Sequence, residues 1–204
     1  MPTRAPRIEV PIACVALLSG LFGCAGTPPR PYDAPPPYRN TRLDPQAAIE
    51  LAILPPASVP NFSPADGRLL VEHAYEELME KGYTPLHPGH VESRLAEILP
   101  AARERGTGPA PLGALKGALP ADAYLEIDVA SVKVVPGVRP AVYRIDTTAT
   151  LVDGQDGETL FQQNLPLTYE VEYAADRTLP RATLDELLRR HVARLLAGLP
   201  ARRA

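Results

Sequence analysis

Seven prolines stand in the eighteen residues from Pro28 to Pro45 (PPRPYDAPPPYRNTRLDP). A stretch so composed is short of backbone donors and has almost nothing aliphatic to bury, so it cannot build a core of its own. It reads as an extended, partly polyproline II tether, and folding is confined to what lies beyond it. Residues 46 to 204 number 159, the size of one domain around one core.

On the other side of the prolines, Arg4 and Arg7 precede thirteen apolar residues, Val10 to Phe22. A membrane-crossing helix needs roughly 20, so this run has the proportions of a signal peptide over residues 1–23. It closes on Leu21-Phe22-Gly23-Cys24, which resembles the lipobox of bacterial lipoproteins. The resemblance implies a diacylglyceryl group on the Cys24 sulfur, cleavage after Gly23 and acylation of the new amino terminus with a fatty acid such as palmitate. Residues 24–45 then form a lipidated cysteine with its tether, and Ala25, not aspartate, implies export to the periplasmic face of the outer membrane. At about 3.1 Å per residue, Ala25 to Pro45 spans on the order of 60 Å.

Cys14 would leave with the signal peptide, so no disulfide, thiol nucleophile or thiolate metal ligand is expected. Cleavage also removes Arg4, Arg7 and Glu9, two positive charges and one negative, taking the net charge from −3 to −4. That balance does not suit a nucleic-acid partner.

Within the domain, Ala47 to Pro55 is an apolar run stopped by Pro55-Pro56, the pattern of a central strand buried on both faces. Ser63-Pro64-Ala65-Asp66 supplies a helix cap, and Gly82 closes that helix. Its apolar face joins Leu70, Val71, Ala74, Tyr75, Leu78 and Met79. A short strand at Tyr83 to Leu86 and a helix over Val91 to Leu99 follow, and this alternation predicts a parallel strand pair. Arg103 to Pro111 is a loop, and Leu112 to Leu119 a weaker short helix.

From Ala123 the period becomes two. Ala123, Leu125, Ile127 and Val129 alternate with polar residues and Tyr124, as do Tyr143, Ile145, Ala149 and Leu151 with Arg144, Asp146 and threonines, giving half-buried antiparallel strands. Asp153 to Gly157 is a hairpin turn, and Phe161, Leu165, Leu167, Tyr169 and Val171 face inward on the returning strand. Pro166 belongs on an edge. Thr183 to Glu186 reads as a capping box before a last helix whose stripe is Leu184, Leu187, Leu188, Val192, Leu195 and Leu196. The expected class is α/β, a mixed parallel and antiparallel sheet packed by helices in the order β-α-β-α-(α)-β-β-β-α.

Residues 46 to 198 resemble a family of outer-membrane lipoproteins of Gram-negative bacteria, some encoded beside curli-secretion-like genes. The likeness rests on Leu51-Ala52-Ile53-Leu54-Pro55-Pro56, Lys81-Gly82-Tyr83, Ala121-Asp122-Ala123-Tyr124-Leu125, and Leu151-Val152-Asp153 with Gly157-Glu158-Thr159-Leu160-Phe161, in that order. Phe161 stands where the pattern often has tryptophan, and Asp156-Gly157 where threonine is common. That family is similar to the amino-terminal domain of TolB, the curli secretion lipoprotein and LpoB-type activators. The resemblance implies a two- or three-layered sandwich that docks or assembles, with no catalytic residues and no cofactor.

Residues with chemical reach are few. His87 and His90 flank Pro88-Gly89 and could begin a zinc site only if carboxylates joined them; a turn explains them more simply. Glu126 and Asp128 share a strand face about 7 Å apart. They could serve as acid and base, but such a pair is usually a solvated face, with Arg144 opposite to neutralise it. His73 and His191 read as partly buried or surface helix residues. Arg189, Arg190, Arg194, Arg202 and Arg203 could meet anionic lipid or complement a helix dipole.

The expected function is therefore an envelope assembly factor that docks on a protein partner, such as a secretion or transport complex, and reaches the membrane through its lipid. Self-association is left open. Two other readings are an activator of a cell-wall synthase and, from another class, a small hydrolase using Glu126 and Asp128. Glu126, Asp128 and Arg144 form the outward row expected to guard the docking face.

Overall fold

A computed structural model describes residues 35–43, 49–57, 59–103, 112–135, 141–171 and 181–202. The first strand, β1 (Tyr38–Arg39), precedes everything the alternation of the domain announced. Next come β2 (Glu50–Leu54), α1 (Pro64–Glu80), β3 (Thr84–Pro85), α2 (Pro88–Arg103) and α3 (Leu112–Ala118). Three long strands, β4 (Ala123–Val135), β5 (Ala141–Asp153) and β6 (Thr159–Val171), then lead to α4 (Arg181–Leu195). The six strands form one mixed sheet in the order β1-β6-β5-β4-β2-β3, the α/β class expected.

The first half folds as its local chemistry dictates. The Ser63 side chain accepts the Asp66 amide while the Asp66 carboxylate accepts the Ser63 amide, and Pro64 opens α1 with φ already set. Gly82, at φ 81°, makes the reversal after the helix that a side chain would resist. β2 runs parallel to β3 on one side and, in register Leu51 with Ala123, parallel to β4 on the other, so it is interior as its apolar run requires. Met79, read on the apolar face of α1, is instead 52% exposed. The helix α2 starts at Pro88 and runs to Arg103, longer at both ends than its apolar spacing indicated.

Two cores flank the sheet. On one face Leu51, Ile53, Leu125, Ile127, Ile145, Leu151, Phe161 and Leu165 meet Leu70, Val71, Ala74 and Leu78 of α1 and Leu187, Leu188, Val192 and Leu195 of α4. On the other, Ala52 and Tyr124 meet Val91 and Leu95 of α2 with Leu115 and Leu119. Tyr124 is thereby fully buried, although strict alternation assigned it to solvent. Its hydroxyl donates to the Leu119 carbonyl at 2.7 Å. The domain is three layers thick over β2 and the start of β4.

β4 pairs antiparallel with β5, and β5 with β6, along most of their lengths. A bulge at Leu160, where Leu151 faces Phe161 and Val152 faces Thr159, lets Leu160 and Phe161 both enter the first core. The Asp153 to Gly157 turn closes with the Gly157 amide on the Asp153 carbonyl at 2.9 Å and Gly157 at φ 79°. β6 has β5 on one side and, on the other, only Tyr38 and Arg39 opposite Gln162 and Phe161. Pro166 therefore lies on a stretch that no described strand covers, where its missing donor costs little. The last helix begins at Arg181, so Thr183 to Glu186 sits inside it and does not form its cap.

Part of the segment read as tether belongs to the folded domain. Residues 24–34 and 44–45, like the signal sequence and Cys24, lie outside the described residues. Residues 35–43 are packed on β6, where the Asn40 amide donates to the Leu160 carbonyl at 2.8 Å and Leu43 is 6% exposed. A proline-rich composition argues against a core of one's own, but it does not prevent two residues from pairing with an existing edge.

Candidate functional site

Glu126 and Asp128 stand exposed on β4 opposite Thr150 and Thr148 of β5. The expected neutralising neighbour is elsewhere: Arg144 lies opposite Lys133 and Thr168 and bonds Asp146 at 3.3 Å. The β4–β5 register puts threonines opposite the two carboxylates and Arg144 several residues further along the strand pair. The two carboxylates thus face solvent across a threonine row, and the geometry brings no described side chain to them as an acid–base partner.

His87 accepts the Gly89 amide at 3.2 Å and meets the Tyr75 ring edge at 5.9 Å between centroids, so it shapes the turn into α2. His90 is exposed in the first turn of that helix. His73 bridges two helices, with Nε2 3.0 Å from Asp185 of α4 and Nδ1 3.5 Å from Glu76. None of the described residues form a group of three or more histidines and carboxylates able to hold a metal ion.

His191 is wholly buried, not at the surface. Nε2 lies 2.6 Å from Thr147 Oγ1 and Nδ1 3.0 Å from the Tyr169 hydroxyl, while Thr147 Oγ1 reaches the Leu165 carbonyl at 3.4 Å. One assignment satisfies the whole chain: Tyr169 donates to Nδ1, Nε2–H donates to Thr147, and Thr147 donates to Leu165. Burial pushes the His191 pKa down to about 4, with Arg194 adding to the effect and Asp146 opposing it, and burial pushes Tyr169 up to about 12. The pair Thr147 and His191 has the spacing of a nucleophile and its base, yet neither reaches solvent, so what it does is satisfy polar groups inside a core.

The arginines are also redistributed. Arg189 and Arg190 both bind Glu186, and these bonds hold its carboxyl below the usual range. Arg202 is buried, its guanidinium 4.5 Å from the centre of the Tyr83 ring, and its amide donates to the Lys81 carbonyl at 2.7 Å. Stacking on the ring face is the contact that offsets a buried charge there, since the three guanidinium nitrogens have no hydrogen-bond partner among the described residues. Arg203 lies outside the described residues.

Sequence reasoning missed Arg42. Its guanidinium binds Asp153 and Asp156 at 2.8 Å each, and Glu158 as well, at the β5–β6 turn. Beside it the Asn40 side chain donates to Glu158 at 2.8 Å. The Glu158 amide and then Arg42 hold the Asp156 carboxyl below its ordinary pKa, and the carboxylates raise that of Arg42. These partners lie 111 to 116 residues away, so no local pattern carries them. A shallow cleft of about 160 Å³, lined by Pro55, Pro56, Phe62, Ser63, Gly67 and Arg68, is smaller than the few hundred Å³ of ordinary ligand pockets.

Fold and surface define an α/β domain with helices on both sides of a mixed sheet, in which the clusters around His191 and Arg42 hold elements together. No protein-family model and no curated protein matches the chain. Among solved structures it is similar to the lipoprotein GNA1162 of Neisseria meningitidis, at 18% identity over 74% of this chain and 99% of that one, TM-score 0.53. That likeness shows a shared fold. A PelC dodecamer of Paraburkholderia phytofirmans is 16% identical over 82% and 96% of the two chains at TM-score 0.48. A minor lipoprotein of Acinetobacter baumannii is 10% identical over 78% and 99% at 0.32.

Proposed function

We propose that this chain is a lipoprotein of the cell envelope, held at the periplasmic face of the outer membrane by acyl groups on Cys24, whose domain docks on an envelope protein. The observation that carries the reading is Leu21-Phe22-Gly23-Cys24 closing a thirteen-residue apolar run. The fold shared with a protein named as a lipoprotein supports it. Among the described residues no helix is long and apolar enough to cross a membrane.

The domain is read as a binding module and not as an enzyme. Supporting this, Glu126 and Asp128 face solvent across threonines, and Thr147 with His191 is sealed in the core. Radiolabelled palmitate should enter the protein and be lost in Cys24→Ala. Equal labelling of the two would refute the anchor. Cross-linking the domain in envelope extract should then give one defined protein adduct.

A further inference from the structure

Residues 35–43 are held to the domain mostly by exposed polar contacts. Pro35, Pro36 and Pro37 have no amide to give to β6, and β1 contributes only two register pairs. What fastens the segment is Arg42 on Asp153, Asp156 and Glu158, with Asn40 on Glu158 and the Leu160 carbonyl. Gln163 adds a bond to the Pro35 carbonyl at 3.1 Å, Leu43 enters the core, and Pro37 packs over Gly198 beside Phe161. Exposed ion pairs are individually weak and screened by salt, and a segment with little buried apolar surface opens at far lower cost than the ladder behind it.

We infer that residues 35–43 are a strap, latched by Arg42 onto the β5–β6 turn, and that the latch sets how far the domain stands from the membrane. This rests on anchoring at Cys24. Latched, the leash is Ala25 to Ala34, ten residues or about 31 Å at a polyproline rise of about 3.1 Å each. Unlatched, the residues between Cys24 and Ile49 number twenty-four, about 74 Å at the same rise. One arginine facing three carboxylates makes the latch an electrostatic one, so ionic strength or a competing basic surface shifts it. Opening also bares the β6 backbone at Phe161 and Gln162.

Hydrogen exchange of the mature chain tests the latch. In Arg42→Gln the Asn40 amide should exchange about tenfold faster or more, with Ile127 and Ala149 unchanged as a check on folding. Arg42→Lys, which keeps the charge without the fork, should fall between. Wild type should approach Arg42→Gln as NaCl rises from about 20 to about 500 mM. Equal exchange in wild type and Arg42→Gln, or Asn40 opening only together with Ile127, overturns the latch. For reach, the acylated protein carries a dye at Glu97→Cys, in phosphatidylethanolamine–phosphatidylglycerol vesicles with an acceptor lipid. Energy transfer should drop in Arg42→Gln, and unchanged transfer overturns the control of distance. Absent palmitate would refute the anchor alone, because the exchange measurement needs no lipid.

Discussion

His191 Nε2 stands 2.6 Å from Thr147 Oγ1 in a core where His191 has no exposed surface. The bond joins α4 to β5, and the Tyr169 hydroxyl on the other ring nitrogen joins the same helix to β6. A neutral imidazole satisfies both neighbours. A protonated one would turn Nδ1 into a second donor against a phenol already donating to it.

Stability should therefore fall in mild acid. The folded pKa of His191 is depressed to about 4 from an ordinary 6.5, so between those values the unfolded chain takes a proton that the folded one refuses. The contribution is complete above pH 6.5 and is lost as pH falls towards 4, on the order of 3 kcal/mol in all. Urea unfolding at pH 7, 6, 5 and 4 measures it, and His191→Gln should flatten that slope.

Removing one member of the chain should cost more than its bond. Tyr169→Phe leaves Nδ1 buried with no donor, and Thr147→Val leaves Nε2–H with no acceptor; each should destabilise by about 1–3 kcal/mol. Adding His191→Leu to the pair should recover part of the loss. Additive costs in the double-mutant cycle of Thr147→Val and Tyr169→Phe would show that the three groups do not act as a unit.

Gly154 is needed for space. A Cβ there would come within 2.6 Å of the Ala121 and Asp122 carbonyl oxygens, because the β5–β6 turn docks by its Gly154 amide onto Asp122. Gly154→Ala should lower stability by about 2 kcal/mol or more and lower the melting temperature accordingly, whereas the same change at Gly113, with nothing within 4 Å, should be neutral or stabilising.

Tyr124 fills the second core, so Tyr124→Ala should cost about 3–5 kcal/mol and loosen α2 and α3 ahead of the rest. Faster exchange confined to those helices would show it. Protection lost equally from α1 and α4 would mean that the two cores form one cooperative unit.

Periodicity and capping read well where the determinants were local. The apolar run before Pro55, the Ser63 to Asp66 cap and the alternation on β4 and β5 each place an element near its observed position. Tyr124 was misplaced because alternation says which residues share a face, not whether a helix distant in sequence covers it. His191 was misjudged against a signal already present: it stands four residues after Leu187 and three after Leu188, at the centre of the stripe. Arg42 had no such signal, since its partners are joined to it only by the folded sheet.

The domain boundary is the remaining point on which composition and structure differ. Composition divides the chain at Pro45, so a fragment of residues 46–204 should be the whole folding unit. The structure puts Leu43 at 6% exposure and pairs β1 with the start of β6, so the fragment loses both. Burying one leucine contributes about 1.5–3 kcal/mol, and the Arg42 contacts, exposed but joined in one network, add a smaller amount. Phe161 also loses cover, because Pro37 sits over Gly198 so closely that a Cβ there would meet Pro37 at 2.7 Å and Phe161 at 2.9 Å. Residues 46–204 should fold cooperatively yet unfold at lower denaturant than residues 35–204, by about 2–3 kcal/mol. Leu43→Ala in the longer fragment should reproduce most of that difference. Identical midpoints for the two fragments would show that the strap contributes nothing to the stability of the domain.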